Sequence, residues 1–229
     1  MLQKFWKYLE DKERAWRYSF GNDLSTPAAR RQARRHFNWV DHGILRVYWT
    51  NFAPVAEGVF RSNQPSPERL RRYRDQGIRS VLNLRGTSPL SQYLLEKEAC
   101  DALGLNLTDI HLSATQLPTL DTIHELEHHF RTLQKPFVMH CKSGADRAGF
   151  ASALYQLLVE DMPIETAQKQ LSLRFLHLKR SSKGILDYCL EKYRKRTEVD
   201  PIPFRDWLES EYDPVKLQQE FDARRRKGG

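Results

Sequence analysis

Apolar positions along this chain follow two rhythms: short continuous runs that suit buried strands, and longer stretches with helical spacing. Val59-Phe60-Arg61, Ser80 to Leu84, Leu105 to Leu112 and Phe137-Val138-Met139 are the short runs and predict strands. Pro67 to Gln76, Gln92 to Leu103, Thr122 to Leu133 and Ala148 to Val159 carry the helical spacing. Gly77 and Gly104 stand where C-terminal caps are expected, and Thr119 or Asp121 where an N-cap is expected. Ile164 to Leu178 and Gly184 to Arg194 predict two further helices. Strands alternating with helices predict an α/β fold: a central, mostly parallel sheet flanked by helices.

The pattern changes at both ends. Leu2, Phe5, Trp6 and Leu9, then Trp16 and Phe20, predict an amphipathic helix over residues 1 to about 20. Ser25 or Thr26 would cap a second helix, with Pro27 in its first turn and Arg30, Arg31, Arg34 and Arg35 on one face. After Thr197, two prolines and mixed charges suggest a peripheral extension whose last residues, from Arg224 to Gly229, are expected to be disordered. The chain therefore divides into a helical basic N-terminal extension (1–52), a central domain (53–195) and a charged C-terminal tail (196–229).

Candidate chemistry is concentrated in His140-Cys141-Lys142-Ser143-Gly144-Ala145-Asp146-Arg147. A strand precedes this run and a helix follows it. Such a loop aims backbone N–H groups at one spot, where the helix dipole adds positive potential. That environment favours the thiolate of Cys141, and Arg147 offers a planar fork that fits phosphate oxygens. Lys142, Ser143, Gly144 and Ala145 would bind phosphate mainly through their N–H groups, with Gly144 permitting a sharp turn. A thiolate in an oxyanion cradle suits phosphoryl transfer through a phosphocysteine.

The net charge of +8 favours anionic partners. No apolar run approaches the length of a spanning helix, and the N-terminus lacks the uninterrupted stretch of a secretory signal. Three cysteines (Cys100, Cys141 and Cys189) are too few and too scattered for a disulfide framework or a zinc site. A cytoplasmic protein is expected, peripheral to the inner face of a membrane if the arginine face meets an anionic bilayer. No basic motif interleaved with aromatics points to nucleic acid.

The eight-residue run resembles the His-Cys-x5-Arg signature of the cysteine-dependent protein tyrosine phosphatase superfamily, in its bacterial and atypical dual-specificity branch. Phe60-Arg61-Ser62-Asn63-Gln64-Pro65 and the strand Ile78 to Arg85 resemble further stretches of that branch. The resemblance spans residues 53 to 195 and implies a phosphomonoester hydrolase with no cofactor and no metal. Its substrate would be a phosphorylated protein or an anionic phospho-metabolite, inositol phosphate or phospholipid. It also implies that His140 hydrogen-bonds the backbone, that the Arg85 region lies beside the pocket, and that an Asp on the loop after a strand protonates the leaving group. Here that loop, Ser113 to Thr119, holds no carboxylate, so Asp109, Asp121 and Asp146 are the candidates. Asp146 is preferred, because like charge beside the thiolate and phosphate would push it towards protonation. Ala148 stands where relatives carry Ser or Thr, which bears on the second step. Lys179, Arg180 and Lys183 can line the mouth of the site or be solvated helix-end charges. The alternatives are a catalytically weak phosphate-binding module docked on a membrane or protein partner and, behind it, a sulfurtransferase.

Overall fold

The computed structural model describes residues 19–227 together with Trp6, Tyr8, Lys12 and Trp16, all four of them helical. The rest of the predicted first helix lies outside the described residues. Five strands form one sheet: β1 (Ala53–Ala56), β2 (Val59–Asn63), β3 (Ser80–Asn83), β4 (Asn106–Asp109) and β5 (Phe137–Cys141). Their spatial order is β1-β2-β5-β3-β4, with β1 antiparallel to β2 and every other pair parallel. The α/β architecture expected from the alternation is the one observed.

The central strand β5 is fully buried, as a strand covered on both faces must be. Its side chains alternate. Phe137, Met139 and Cys141 enter one apolar layer with Phe150 and Leu154, whereas Val138 joins Leu70, Tyr73, Ile78 and Cys100 on the other face. Strand β1 went unpredicted because it is short and contains Pro54, which only an edge strand tolerates.

The helices are α1 (Pro27–Arg35), α2 (Pro67–Asp75), α3 (Ser91–Leu103), α4 (Leu120–Thr132), α5 (Asp146–Leu158), α6 (Ile164–Ala167), α7 (Ile185–Val199), α8 (Phe204–Ser210) and α9 (Pro214–Lys227). Thr26, Ser66 and Thr119 accept N-capping hydrogen bonds at α1, α2 and α4, and Gly104 closes α3 in the left-handed region.

Two predicted segments differ. The helix expected over Ile164 to Leu178 ends at Ala167 and gives way to two 3-10 turns, Gln168–Gln170 and Leu173–Phe175. The reason is tertiary: the carbonyls of Gln170 and Phe175 accept hydrogen bonds from Arg61 and Asn51. The C-terminal tail is not peripheral either. Phe204, Trp207, Leu208, Tyr212, Leu217 and Phe221 are buried in the main core, and α9 carries the chain in helical form through Arg224, Arg225 and Arg226 to Lys227. Gly228 and Gly229 lie outside the described residues.

The N-terminal segment also folds onto the domain. Arg30 Nη1 lies 2.7 Å from Glu98 Oε1 on α3, so this arginine of the basic face makes an exposed ion pair with the domain. His36–Val40 forms a π-helical turn and Gly43–Val47 a 3-10 turn. Phe52 stacks on Phe60 and Tyr73 at centroid distances of 5.2 and 5.0 Å.

Candidate active site

Strand β5 ends at Cys141 in the middle of the parallel sheet, and α5 starts five residues later at Asp146. The loop between them points outward at the C-terminal edge of the strands, where open parallel sheets bind ligands. Its four carbonyls are all engaged. Lys142 O accepts from Gln64 N at 3.3 Å, and Ser143 O from Asn51 Nδ2 at 2.9 Å. Gly144 O and Ala145 O accept from Arg61 Nη2 at 2.6 and 3.1 Å. In a trans peptide the N–H points opposite to the C=O of the same plane. Holding these carbonyls therefore turns the N–H groups of Ser143, Gly144, Ala145 and Asp146 to the other side of the loop. Ser143 Oγ takes a long 3.4 Å hydrogen bond from Ala145 N, which shapes the turn.

Gly144 has φ +71°, in the left-handed region. A Cβ there would meet Asn63 N at 2.7 Å and Asn51 Cβ at 2.8 Å, so no other residue fits.

Arg61 is wholly buried. Its other nitrogen, Nη1, donates to Gln170 O at 2.6 Å and Gln170 Oε1 at 2.9 Å, and its guanidinium lies 3.8 Å from the centroid of the Phe175 ring. Burial pulls the guanidinium down to about 10, while the sulfur of Cys141 and the carboxylate of Asp146 support the cation. It stays charged at neutral pH. Arg61 belongs to the second stretch that carried the family resemblance, and its role beneath the loop was not read from the sequence.

By contrast, Arg147 has no hydrogen bond or ion pair among the described residues. It lines a cavity of about 350 Å³ with Gln64, Arg85, Tyr93, Glu96 and His111. Cys100 and Cys189 sit in the core. Burial pushes the Cys189 thiol up to about 12 and the Cys100 thiol well above its ordinary range, so both stay protonated.

His140 does not bond the backbone as expected. It is buried with Nε2 2.7 Å from Glu96 Oε1, a close contact too poorly aligned for a hydrogen bond. Glu96 Oε2 accepts from Gln64 Nε2 at 2.8 Å, and Gln64 Oε1 accepts from Arg85 Nη1 at 2.7 Å. Arg85 then reaches Asp41, which also pairs with Arg46 at 2.7 Å and lies 3.5 Å from Lys142 Nζ. A polar network thus runs from beneath the cysteine to the N-terminal segment. Asp41 in this network, and Asn51, which holds the Ser143 carbonyl, both stand before residue 53, and sequence reasoning missed them. Neither stands in a recognisable motif, and only the fold brings them to the loop.

The three acid candidates are all placed. Asp109 accepts from Asn83 Nδ2 and Tyr93 Oη, each at 2.8 Å. Asp121 is exposed in the first turn of α4, whose cap is Thr119. Asp146 Oδ1 lies 2.8 Å from His177 Nδ1, and His177 Nε2 lies 2.6 Å from Asp187 Oδ2. Burial would lower the His177 imidazole, but Asp146 and Asp187 more than offset this and raise it to about 9. The carboxylate of Asp146 is therefore engaged with His177. Lys179 and Arg180 line a different cavity, of about 740 Å³, with Lys195, Arg224 and Arg225.

A cysteine loop between the central parallel strand and a helix, closed by an uncommitted arginine, defines a phosphatase of the cysteine-dependent protein tyrosine phosphatase superfamily. The chain belongs to the family described as DSP-PTPase phosphatase fused to NAD+ kinase, whose model matches residues 51–184. Among solved structures, it is similar to a putative phosphatase (DUF442) from Shewanella putrefaciens CN-32, with 16% identity, 69% of this chain and 94% of that chain covered, and a TM-score of 0.52. P. aeruginosa TpbA gives 14% identity, 75% and 90% coverage and a TM-score of 0.49. The core catalytic domain of the PP-IP phosphatase Siw14 from S. cerevisiae, in complex with citrate, gives 17% identity, 66% and 92% coverage and a TM-score of 0.49. No curated protein matches the sequence. Among the described residues no helix is long and apolar enough to cross a membrane.

Proposed function

We propose that the protein hydrolyses phosphomonoesters through a phosphocysteine formed on Cys141. The observation that carries this reading is the set of four consecutive loop carbonyls held by Gln64, Asn51 and Arg61, which turns the amides to the opposite face of the loop, where they can cradle an oxyanion. In the first step the sulfur of Cys141 attacks phosphorus in line. The S–P bond forms as the ester P–O bond breaks, and Arg147 and the loop amides hold the equatorial oxygens. In the second step water attacks phosphorus, the S–P bond breaks, and inorganic phosphate leaves. Ala148 supplies no hydroxyl to help this step, so the phosphocysteine is expected to accumulate.

The substrate is anionic: a phosphotyrosine or phosphoserine protein, an inositol phosphate, or a phospholipid head group offered at an anionic bilayer. The guanidinium of Arg147 in the open cavity supports that class. One observation favours a second reading, a phosphate-binding module of feeble activity: the loop Ser113 to Thr119 brings no carboxylate to the site.

The test is phosphate release from aryl phosphate, phosphopeptides, phosphoinositides, inositol polyphosphates and phosphatidylglycerophosphate, with wild type and Cys141→Ser side by side. Release that depends on Cys141, with vanadate binding retained by Cys141→Ser, is the expected result. Vanadate binding by wild type without release from any substrate would establish the binding module instead.

A further inference from the structure

The carboxylates around the loop are committed elsewhere: Asp41 to Arg46 and Arg85, Glu96 to Gln64 and His140, Asp109 to Asn83 and Tyr93, and Asp146 to His177. One titratable group of the cavity that Arg147 lines has its outer nitrogen uncommitted, and it is a histidine.

We propose that His111 is the general acid of the phosphatase reaction, and the base that activates water in the second step. The proposal rests on Cys141 being the nucleophile. His111 is exposed and lines the same cavity of about 350 Å³ as Arg147. It follows β4 and stands two residues before the loop Ser113 to Thr119, which lacks a carboxylate. Its ring is oriented. Nδ1 lies 3.1 Å from Arg85 O, and a carbonyl can only accept, so Nδ1 carries a proton and Nε2 is the nitrogen that gains and loses one. Residues 85 and 111 also form a β-bridge. Beside them Gly86 has φ +71°, and a Cβ there would lie 3.1 Å from His111 Cβ, so the loop is shaped around this side chain.

The proton balance closes over the cycle. As the S–P bond forms and the ester P–O bond breaks, the imidazolium Nε2–H passes its proton to the departing oxygen, and the alcohol leaves. As water attacks the phosphocysteine, neutral Nε2 takes the water proton, which restores the imidazolium and frees the Cys141 thiolate. Histidine suits both directions because its charge changes near neutral pH. The other titratable and charged groups around the cavity are Arg85, Tyr93, Glu96 and Arg147.

The experiment compares wild type, His111→Gln and Asp146→Asn on phenyl phosphate, a poor leaving group, and p-nitrophenyl phosphate, a good one, from about pH 5 to 9, with melting temperatures recorded for each. His111→Gln is expected to lose about 100-fold in kcat on phenyl phosphate and under about tenfold on p-nitrophenyl phosphate. Its alkaline limb in the pH profile should vanish while its melting temperature stays near that of wild type. Equal losses on both substrates, an unchanged profile, or a leaving-group-dependent loss in Asp146→Asn instead would overturn the assignment. In those outcomes Cys141-dependent turnover of p-nitrophenyl phosphate still stands, so failure of the acid is told apart from failure of the phosphatase reading. Absence of turnover in wild type on both substrates would overturn both.

Discussion

Asp41 Oδ1 accepts a hydrogen bond from Arg85 Nη2 at 2.8 Å, joining two residues 44 positions apart at the edge of the candidate site. Burial would raise the Asp41 carboxyl, but Arg85, Arg46 and Lys142 outweigh it and hold the group well below its ordinary range. Asp41→Asn leaves three cations facing one another without their shared anion. Breaking one partner out of such a buried group costs about 3–5 kcal/mol. Because the folded-state value is depressed, this stability is present above the ordinary carboxylate value of 3.8 and fades as pH falls through the folded value. Chemical denaturation should show a large gap between wild type and Asp41→Asn at neutral pH that narrows below that point. A constant gap down to strongly acidic pH would contradict the electrostatic account.

Arg61 tests the loop from below. Arg61→Gln removes the charge that holds Gly144 O and Ala145 O; Ala145 O keeps its bond from Gly149 N, but Gly144 O is left unpaired at about 1–3 kcal/mol. The loop amides lose their orientation, and kcat should fall by about 100-fold or more. Arg61→Lys keeps the charge but cannot span Gly144, Ala145 and Gln170 at once, so it should rescue stability in part and turnover poorly. Steady-state kinetics with a vanadate binding curve read both effects. Wild-type turnover in Arg61→Gln would remove this residue from the account.

Gly144→Ala forces a Cβ to within 2.7 Å of the Asn63 backbone at a positive φ. The backbone strain alone is worth about 1–3 kcal/mol, and relief requires the loop to move. We expect a lower melting temperature and loss of oxyanion binding together. Intact vanadate affinity would show that the loop has room the geometry denies.

His177 gives a signature in the opposite pH direction. Its imidazole is raised from 6.5 to about 9, so the stability of the Asp146–His177–Asp187 contact is fully present below about 6.5 and lost as pH rises through about 9. The melting temperature of wild type should therefore fall across that window, and that of His177→Gln should start lower and change little. A flat wild-type profile from 6.5 to 9 would show that the histidine is not held as a cation.

The alternation of strands and helices, the central strand, the cysteine loop and the Cys141–Arg147 spacing all follow from local pattern. Each of these is set by neighbours within a few positions: a run of apolar residues, a capping side chain, a glycine at a turn. Tertiary structure decided the rest, because contacts across the chain outweighed local preference. The helix predicted over Ile164 to Leu178 is broken where Arg61 and Asn51 draw out its carbonyls, an interaction across 109 positions in the case of Gln170. Asp146 looked free for proton transfer until His177 was brought to it. The tail after Thr197 looked solvated by composition, yet its spaced aromatics, Phe204, Trp207 and Tyr212, find a core that exists only once the sheet has formed. Asp41 and Asn51 lie outside any recognisable motif, since only the fold brings them to Lys142 and Ser143 of the loop.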